Sequence, residues 1–228
     1  MSLGSPRLHL RRTSSSNDRA RELARAGAPH GTLVTAAEQT AGRGRQGRSW
    51  SAPPGRSLLA SLVLREPPRL LPLIAAVAVA DEVGPGARIK WPNDVLLDAR
   101  KVAGILVEGR PQEGWAVLGV GLNVALGPDD LPLELRELAG TLGREPEELE
   151  PTLRRLLEGL ERWLGAPAAA ILDAYRERDA LLGREIAFAG GRGTAAGIDG
   201  EGRLVVTGPD RRRTALEAGE VHLGPGAG

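Results

Sequence analysis

Residues 41–50 read AGRGRQGRSW, three glycines interleaved with three arginines and closed by a tryptophan. Glycine lets backbone N–H groups come close to a ligand, and guanidinium forks match carboxylates and phosphates, so this pattern suits an anion. KWPND at 90–94 and KVAGILVEG at 101–109 each open on a lysine. The first places Asp94 after a rigid proline, and the second sets Gly104 inside a strand, where a ligand can lie against the backbone. GVGLN at 119–123 repeats the small residues. Of 30 basic side chains only Lys90 and Lys101 are lysines, which marks them as places where a compact ammonium serves and a planar fork does not. Taken singly, each motif has a plainer reading. Asn93 and Asp94 suit a proline-led turn, Gly119 and Gly121 a strand kink, and arginine–glycine repeats also occur in nucleic-acid-binding tails.

The elements that must position these residues follow from periodicity. Helices are expected at 18–26, 68–83, 134–139, 147–164 and 168–182, and strands at 31–38, 57–65, 87–91, 102–108 and 115–124. The glycine–arginine stretch then falls in a long loop between two strands, which argues against a tail. After Gly183 the pattern turns to short alternating runs at 185–189, 194–198, 203–207, 213–216 and 221–223, a small five-stranded barrel. The expected division is 1–182 and 183–228. Arg211 to Arg213 sit at a turn beside acidic residues and read as a solvated hairpin end.

Totals narrow the functions. With 30 basic and 29 acidic side chains the net charge is +1, so no global field draws the chain to nucleic acid or to an anionic membrane. A single Phe and a single Tyr give poor platforms for base stacking. The absence of cysteine excludes disulfides and thiolate chemistry and fits a cytoplasmic protein. No apolar run is long enough to cross a bilayer, and the N-terminus has no signal-peptide core. His9, His30 and His222 lie outside the motifs and are expected to be structural or exposed.

In order along the chain, SSN at 15–17, Gln39, GRGRQGR at 42–48 with Trp50, KWPND, KVAGILVE and GVGLN resemble the biotin protein ligases. The resemblance implies an α+β fold, a mixed sheet with helices related to class II aminoacyl-tRNA synthetases, followed by a small SH3-like β-barrel. The motifs begin within the first dozen or so residues, so the DNA-binding domain of some family members is expected to be absent. The implied reaction joins the carboxylate of biotin to the α-phosphate of Mg-ATP, then passes biotin to a lysine of a biotin carboxyl carrier protein. Both initial reactants are anions, and two unit charges about 4 Å apart repel by roughly 4 kcal/mol at an effective dielectric near 20. Arg43, Arg45, Arg48 and Lys101 can offset that repulsion, with loop amides aimed at the developing charge.

By resemblance, Ser15, Ser16, Asn17, Gln39, Arg43, Gly44, Arg45, Lys101 and Gly104 bind biotin, Ser15, Ser16 and Gln39 serving its ureido ring. Arg48, Trp50, Asn93, Asp94 and Asn123 lie toward ATP, Lys101 and Arg45 are the catalytic pair, and Asp94 helps hold Mg²⁺. Family members are often homodimers. Two departures stand out: Gln46 replaces an arginine common in the loop, and Ser14 an acidic residue. A lipoate or octanoate ligase of the same superfamily is the alternative, and it would need no polar set for a ureido ring.

Overall fold

The computed structural model describes residues 2–127, 129–131, 133–217, 219 and 221–223. A seven-stranded sheet carries the order β1-β2-β3-β7-β6-β5-β4, built from β1 (Arg7–Leu10), β2 (Leu33–Ala36), β3 (Ser57–Arg65), β4 (Arg88–Lys90), β5 (Asp94–Leu97), β6 (Arg100–Arg110) and β7 (Trp115–Asn123). Only β1 and β2 pair in parallel, so the sheet is mixed as expected. Helices α1 (Ser16–Arg25), α2 (Leu71–Val83), α3 (Leu149–Leu164) and α4 (Ala168–Glu177) cover it.

Alternation along the long strands divides the work between the two faces. Leu58, Leu62 and Leu64 of β3, Leu118, Val120 and Leu122 of β7, and Ala103 and Ile105 of β6 enter the main core with α2. Helix α2 is apolar on every side, Leu71 and Leu73 to Ala80 all being buried, because it lies between the sheet and α3 with α4. The opposite parity faces α1 at one end, where Val63, Trp115 and Val117 pack on Ala20 and Ala24. Further along that face stand Ser61, Gly104, Glu108, Gly119 and Gly121, in a register that pairs Ser61 with Gly119 and Gly104 with Gly121.

After Gly183 a second sheet of five antiparallel strands follows in the order β11-β10-β9-β8-β12: β8 (Glu185–Phe188), β9 (Gly191–Ile198), β10 (Leu204–Thr207), β11 (Arg213–Leu216) and β12 (His222–Leu223). The apolar core runs on into it through Ile186, Ile198, Leu204 and Val206, and the Trp91 indole Nε1 donates to Gly202 O across the join at 3.2 Å. Arg211 and Arg212 lie exposed at the β10–β11 turn, and Arg213 is exposed where β11 begins.

Several elements differ from the periodicity, among them β5 (Asp94–Leu97), where no strand was expected because KWPND reads as a turn. The helix expected at 134–139 is one 3₁₀ turn at Leu133–Leu135, because six residues with Leu133 and Leu138 exposed bury no face to offset the cost of nucleation. The helix expected to reach 182 ends at Glu177, where 178–180 instead bond to the edge of β4 through Ile89. Helix α1 begins at Ser16, two residues early, since Gln39 supplies its cap. Strand β1 was not foreseen, as four largely exposed residues at a sheet edge carry no apolar alternation.

Candidate active site

One cavity opens on the sheet face that lacks α2, under the long loop joining β2 to β3. The sequence motifs converge on it: Ser15, Ser16, Asn17, Gln39, Arg43, Gly44, Arg45, Arg48, Trp50, Asn93, Lys101 and Gly104 all line it. Gly119 and Gly121 form part of its floor.

Its inner end is polar and buried. Helix α1 lacks a capping side chain from Ser15, and Gln39, 23 residues away, takes that role: its Oε1 accepts from Ser16 N at 2.7 Å and Ser16 Oγ at 2.9 Å. Ser61, fully buried on β3, lies 2.8 Å from Ser16 Oγ and 2.6 Å from Asn17 Oδ1. The Asn17 amide donates from Nδ2 to Glu108 Oε2 at 2.9 Å and lies flat on β7, where a Cβ on Gly119 would stand only 2.2 Å from Asn17 Oδ1. Glycine at 119 is therefore a requirement of close approach.

The floor follows the same logic. Gly104 and Gly121 face each other across β6 and β7, and the Trp50 indole rests on both. A Cβ on Gly121 would come within 2.5 Å of the ring, and one on Gly104 within 2.9 Å. The indole Nε1 is buried with no hydrogen-bond partner. Residues 42–50 fold as a small hairpin, with Trp50 N donating to Gly42 O at 2.9 Å and Gly44 N to Arg48 O at 2.6 Å. Its tip, Gln46–Gly47, has φ of 54° and 76°, the type I′ turn that matches strand twist. Gly42 also admits no side chain, since a Cβ there would sit 2.3 Å from Trp50 O.

Cations also line the cavity, and at least two of them are paired with carboxylates. Lys101 Nζ stands 2.8 Å from Asp94 Oδ1 and 5.5 Å from the Trp50 ring. Arg43 meets Glu108 Oε2 and Asp18 Oδ1, each at 2.8 Å, with Arg21 bridging the same two carboxylates. Carboxylates brought in by α1, β5 and β6 thus pair with Arg43 and Lys101, which the sequence did not indicate. Arg45 Nη1 reaches Asn93 Oδ1 at 3.4 Å, while Asn93 Nδ2 donates to Ile105 O at 3.0 Å, tying the KWPND turn to β6.

Asp94 and Asn123 fall outside the cavity lining. Asn123 is buried, its Oδ1 accepting from Ser57 at 3.1 Å and its Nδ2 donating to Gly140 O at 2.9 Å, which braces the segment after β7. His9 bonds Thr35 and His30 bonds the Arg65 amide, both away from the site. Ser61 and Glu108 were missed as site residues. Glu108 ends the KVAGILVE motif and could have been found there; Ser61 sits in an apolar strand, and its one signal was being polar in that run.

A sheet face that lacks Cβ atoms at Gly104, Gly119 and Gly121, with buried hydrogen-bonding groups and cations around it, has the form of an enzyme site suited to a small ligand with a polar head and an anionic tail. Residues 9–125 match the model of the Biotin/lipoate A/B protein ligase family, and the chain belongs to that family. A biotin–[acetyl-CoA-carboxylase] ligase of Paracoccus denitrificans is 38% identical over 244 residues, 94% of this chain and 99% of that protein. The bifunctional ligase/repressor BirA of Bacillus subtilis is 42% identical over 147 residues, 59% of this chain; the aligned region spans 45% of that relative's length. Among solved structures, the biotin protein ligase of Aquifex aeolicus in complex with biotin and ATP superposes with a TM-score of 0.78 at 26% identity, covering 96% of this chain and 98% of that one. No helix among the described residues is long and apolar enough to cross a membrane.

Proposed function

We propose that this protein activates biotin with ATP as biotinyl-AMP and transfers it to a lysine of a biotin carboxyl carrier protein. A single cavity joining a buried polar cluster, a glycine floor and a cationic mouth carries this reading. A ureido ring brings N–H and C=O groups that Ser15, Ser16, Asn17 and Gln39 can pair, while a valeryl chain suits the floor beside Trp50. The carboxylate then reaches Lys101 and Arg45. A dithiolane or a plain acyl chain would leave that buried cluster unpaired, at about 1–3 kcal/mol for each orphaned group. Biotin therefore fits better than lipoate or octanoate.

In the first step a carboxylate oxygen attacks the α-phosphorus and pyrophosphate leaves. Lys101 exchanges Asp94 for the incoming carboxylate, while Arg45, Arg48 and loop amides stabilise charge on the phosphoryl oxygens. Gly44 brings the loop backbone close, and Gly104 gives the Trp50 ring room to lie over β6. In the second step the carrier amine attacks the anhydride carbonyl, AMP leaves, and the amine loses a proton as the amide forms. No side-chain nucleophile is required. Mg²⁺ would accompany the ATP phosphates and offset their charge, with Asp94 the carboxylate that would help to hold it. Asn93 supports Arg45, Trp50 covers the tail, and Asn123 acts on the nucleotide side through the segment it braces. A cytoplasmic setting, a homodimer and the assignment of 183–228 as an SH3-like domain belong to the same reading.

Incubation of a carboxylase carrier domain with the protein, biotin and Mg-ATP, followed by intact mass spectrometry, is expected to show one added biotinyl group. Modification by lipoate or octanoate instead of biotin would overturn the reading.

A further inference from the structure

The buried cluster has fewer hydrogens than contacts. Ser16 Oγ to Gln39 Oε1, Ser16 Oγ to Ser61 Oγ, and Ser61 Oγ to Asn17 Oδ1 are three oxygen–oxygen contacts of 2.9, 2.8 and 2.6 Å, and two hydroxyl hydrogens serve them. One contact is therefore always short of a donor, which makes the cluster accepting toward any ligand that brings an N–H or O–H. Rotating either amide would reverse this polarity. Gln39 is held because the Ser16 backbone N–H requires an acceptor at Oε1. Asn17 has no backbone lock of this strength on its Oδ1 side. Its orientation is set at the far end, where Nδ2 donates to Glu108 Oε2 at 2.9 Å and, over a longer 3.4 Å, to Leu106 O; of the two, the carboxylate is the closer and charged acceptor, and it cannot donate.

We propose that Glu108 is a positioning residue that fixes the amide of Asn17 with its oxygen toward Ser61, and so sets the polarity of the ligand-binding cluster without touching the ligand. The same carboxylate holds Arg43 at 2.8 Å and Arg21 at 3.1 Å, tying the start of the arginine loop to the strand that orients Asn17. Loop anchoring and cluster polarity thus share one negative charge. The inference rests on the proposed recognition of biotin.

The test is a binding cycle read by calorimetry with biotin and, separately, with ATP. Glu108→Gln supplies an amide that can accept or donate, leaves only the long contact to Leu106 O to hold Asn17 in place, and is expected to weaken biotin about ten-fold with ATP binding unchanged. Asn17→Asp sets two carboxylates face to face and is expected to weaken biotin more. In the double variant Asn17→Asp with Glu108→Gln, the new amide donates to the new carboxylate and both oxygens of residue 17 accept again. Biotin affinity is then expected to return at least about ten-fold over Asn17→Asp alone. Purely additive losses would overturn the inference, because a residue that only supports the fold gives no rescue. If Asn17→Asp does not fold, Glu108→Gln decides: biotin weakened with ATP binding kept supports the proposal, and biotin affinity unchanged overturns it. Wild-type protein with no affinity for biotin would instead defeat the functional reading.

Discussion

The two faces of the central sheet are built from the same strands and obey opposite rules. On the face toward α2, Leu62, Leu64, Leu118 and Leu122 are almost wholly buried and packed, so each methyl group contributes to stability. On the other face the neighbouring residues are Ser61, Gly119 and Gly121, where the removal of Cβ atoms lets Asn17 and Trp50 lie against the backbone. An antiparallel sheet can therefore encode its core on one parity and its ligand site on the other, one residue apart, with little interference.

The sharpest way to break this comparison is to alter each face separately. Lys101→Ala is expected to lower kcat/KM for adenylate formation by about 10²–10³, measured by pyrophosphate release, with little change in thermal stability. A large drop in melting temperature with kinetics preserved would show that the lysine serves the fold. Leu118→Ala, on the packed face, should do the reverse: about 2–5 kcal/mol less stable by urea unfolding, with the kinetics of the folded fraction unchanged. Ser61→Ala sits between these, since it leaves Asn17 Oδ1 without its donor; a loss of about 1–3 kcal/mol in stability should accompany weaker biotin binding. The smallest effect is expected at the hairpin tip. Gln46 holds φ of 54°, and Gln46→Asn creates the Asn-Gly pair favoured in such turns. Hydrogen exchange of the Arg48 amide, which donates to Arg45 O, should slow by the equivalent of less than about 1 kcal/mol. Faster exchange would mean that the loop is not the hairpin described above.

The paired state of Lys101 and Arg43 adds a refinement. On the proposed reading the site admits two anions, yet at least two of its cations, Arg43 and Lys101, stand against Asp18, Glu108 and Asp94. Such pairs are partly solvated, so exchanging a carboxylate partner for a substrate anion is a small step in energy.

By itself the sequence determined the order of the long strands and helices and most of the residues that line the cavity. Those depend on local periodicity and on motifs in which each residue type has a direct chemical use, as in GRGRQGR and KVAGILVE. It could not determine which cations are paired, that Asn123 braces Gly140, or that Ser61 and Glu108 complete the cluster. It also misread 134–139, where a local helical signal met no packing partner. The tertiary structure decided these points for one reason: Ser61 meets Asn17 across 44 residues and Glu108 meets it across 91, and only the docking of α1 on the sheet brings them within hydrogen-bond reach.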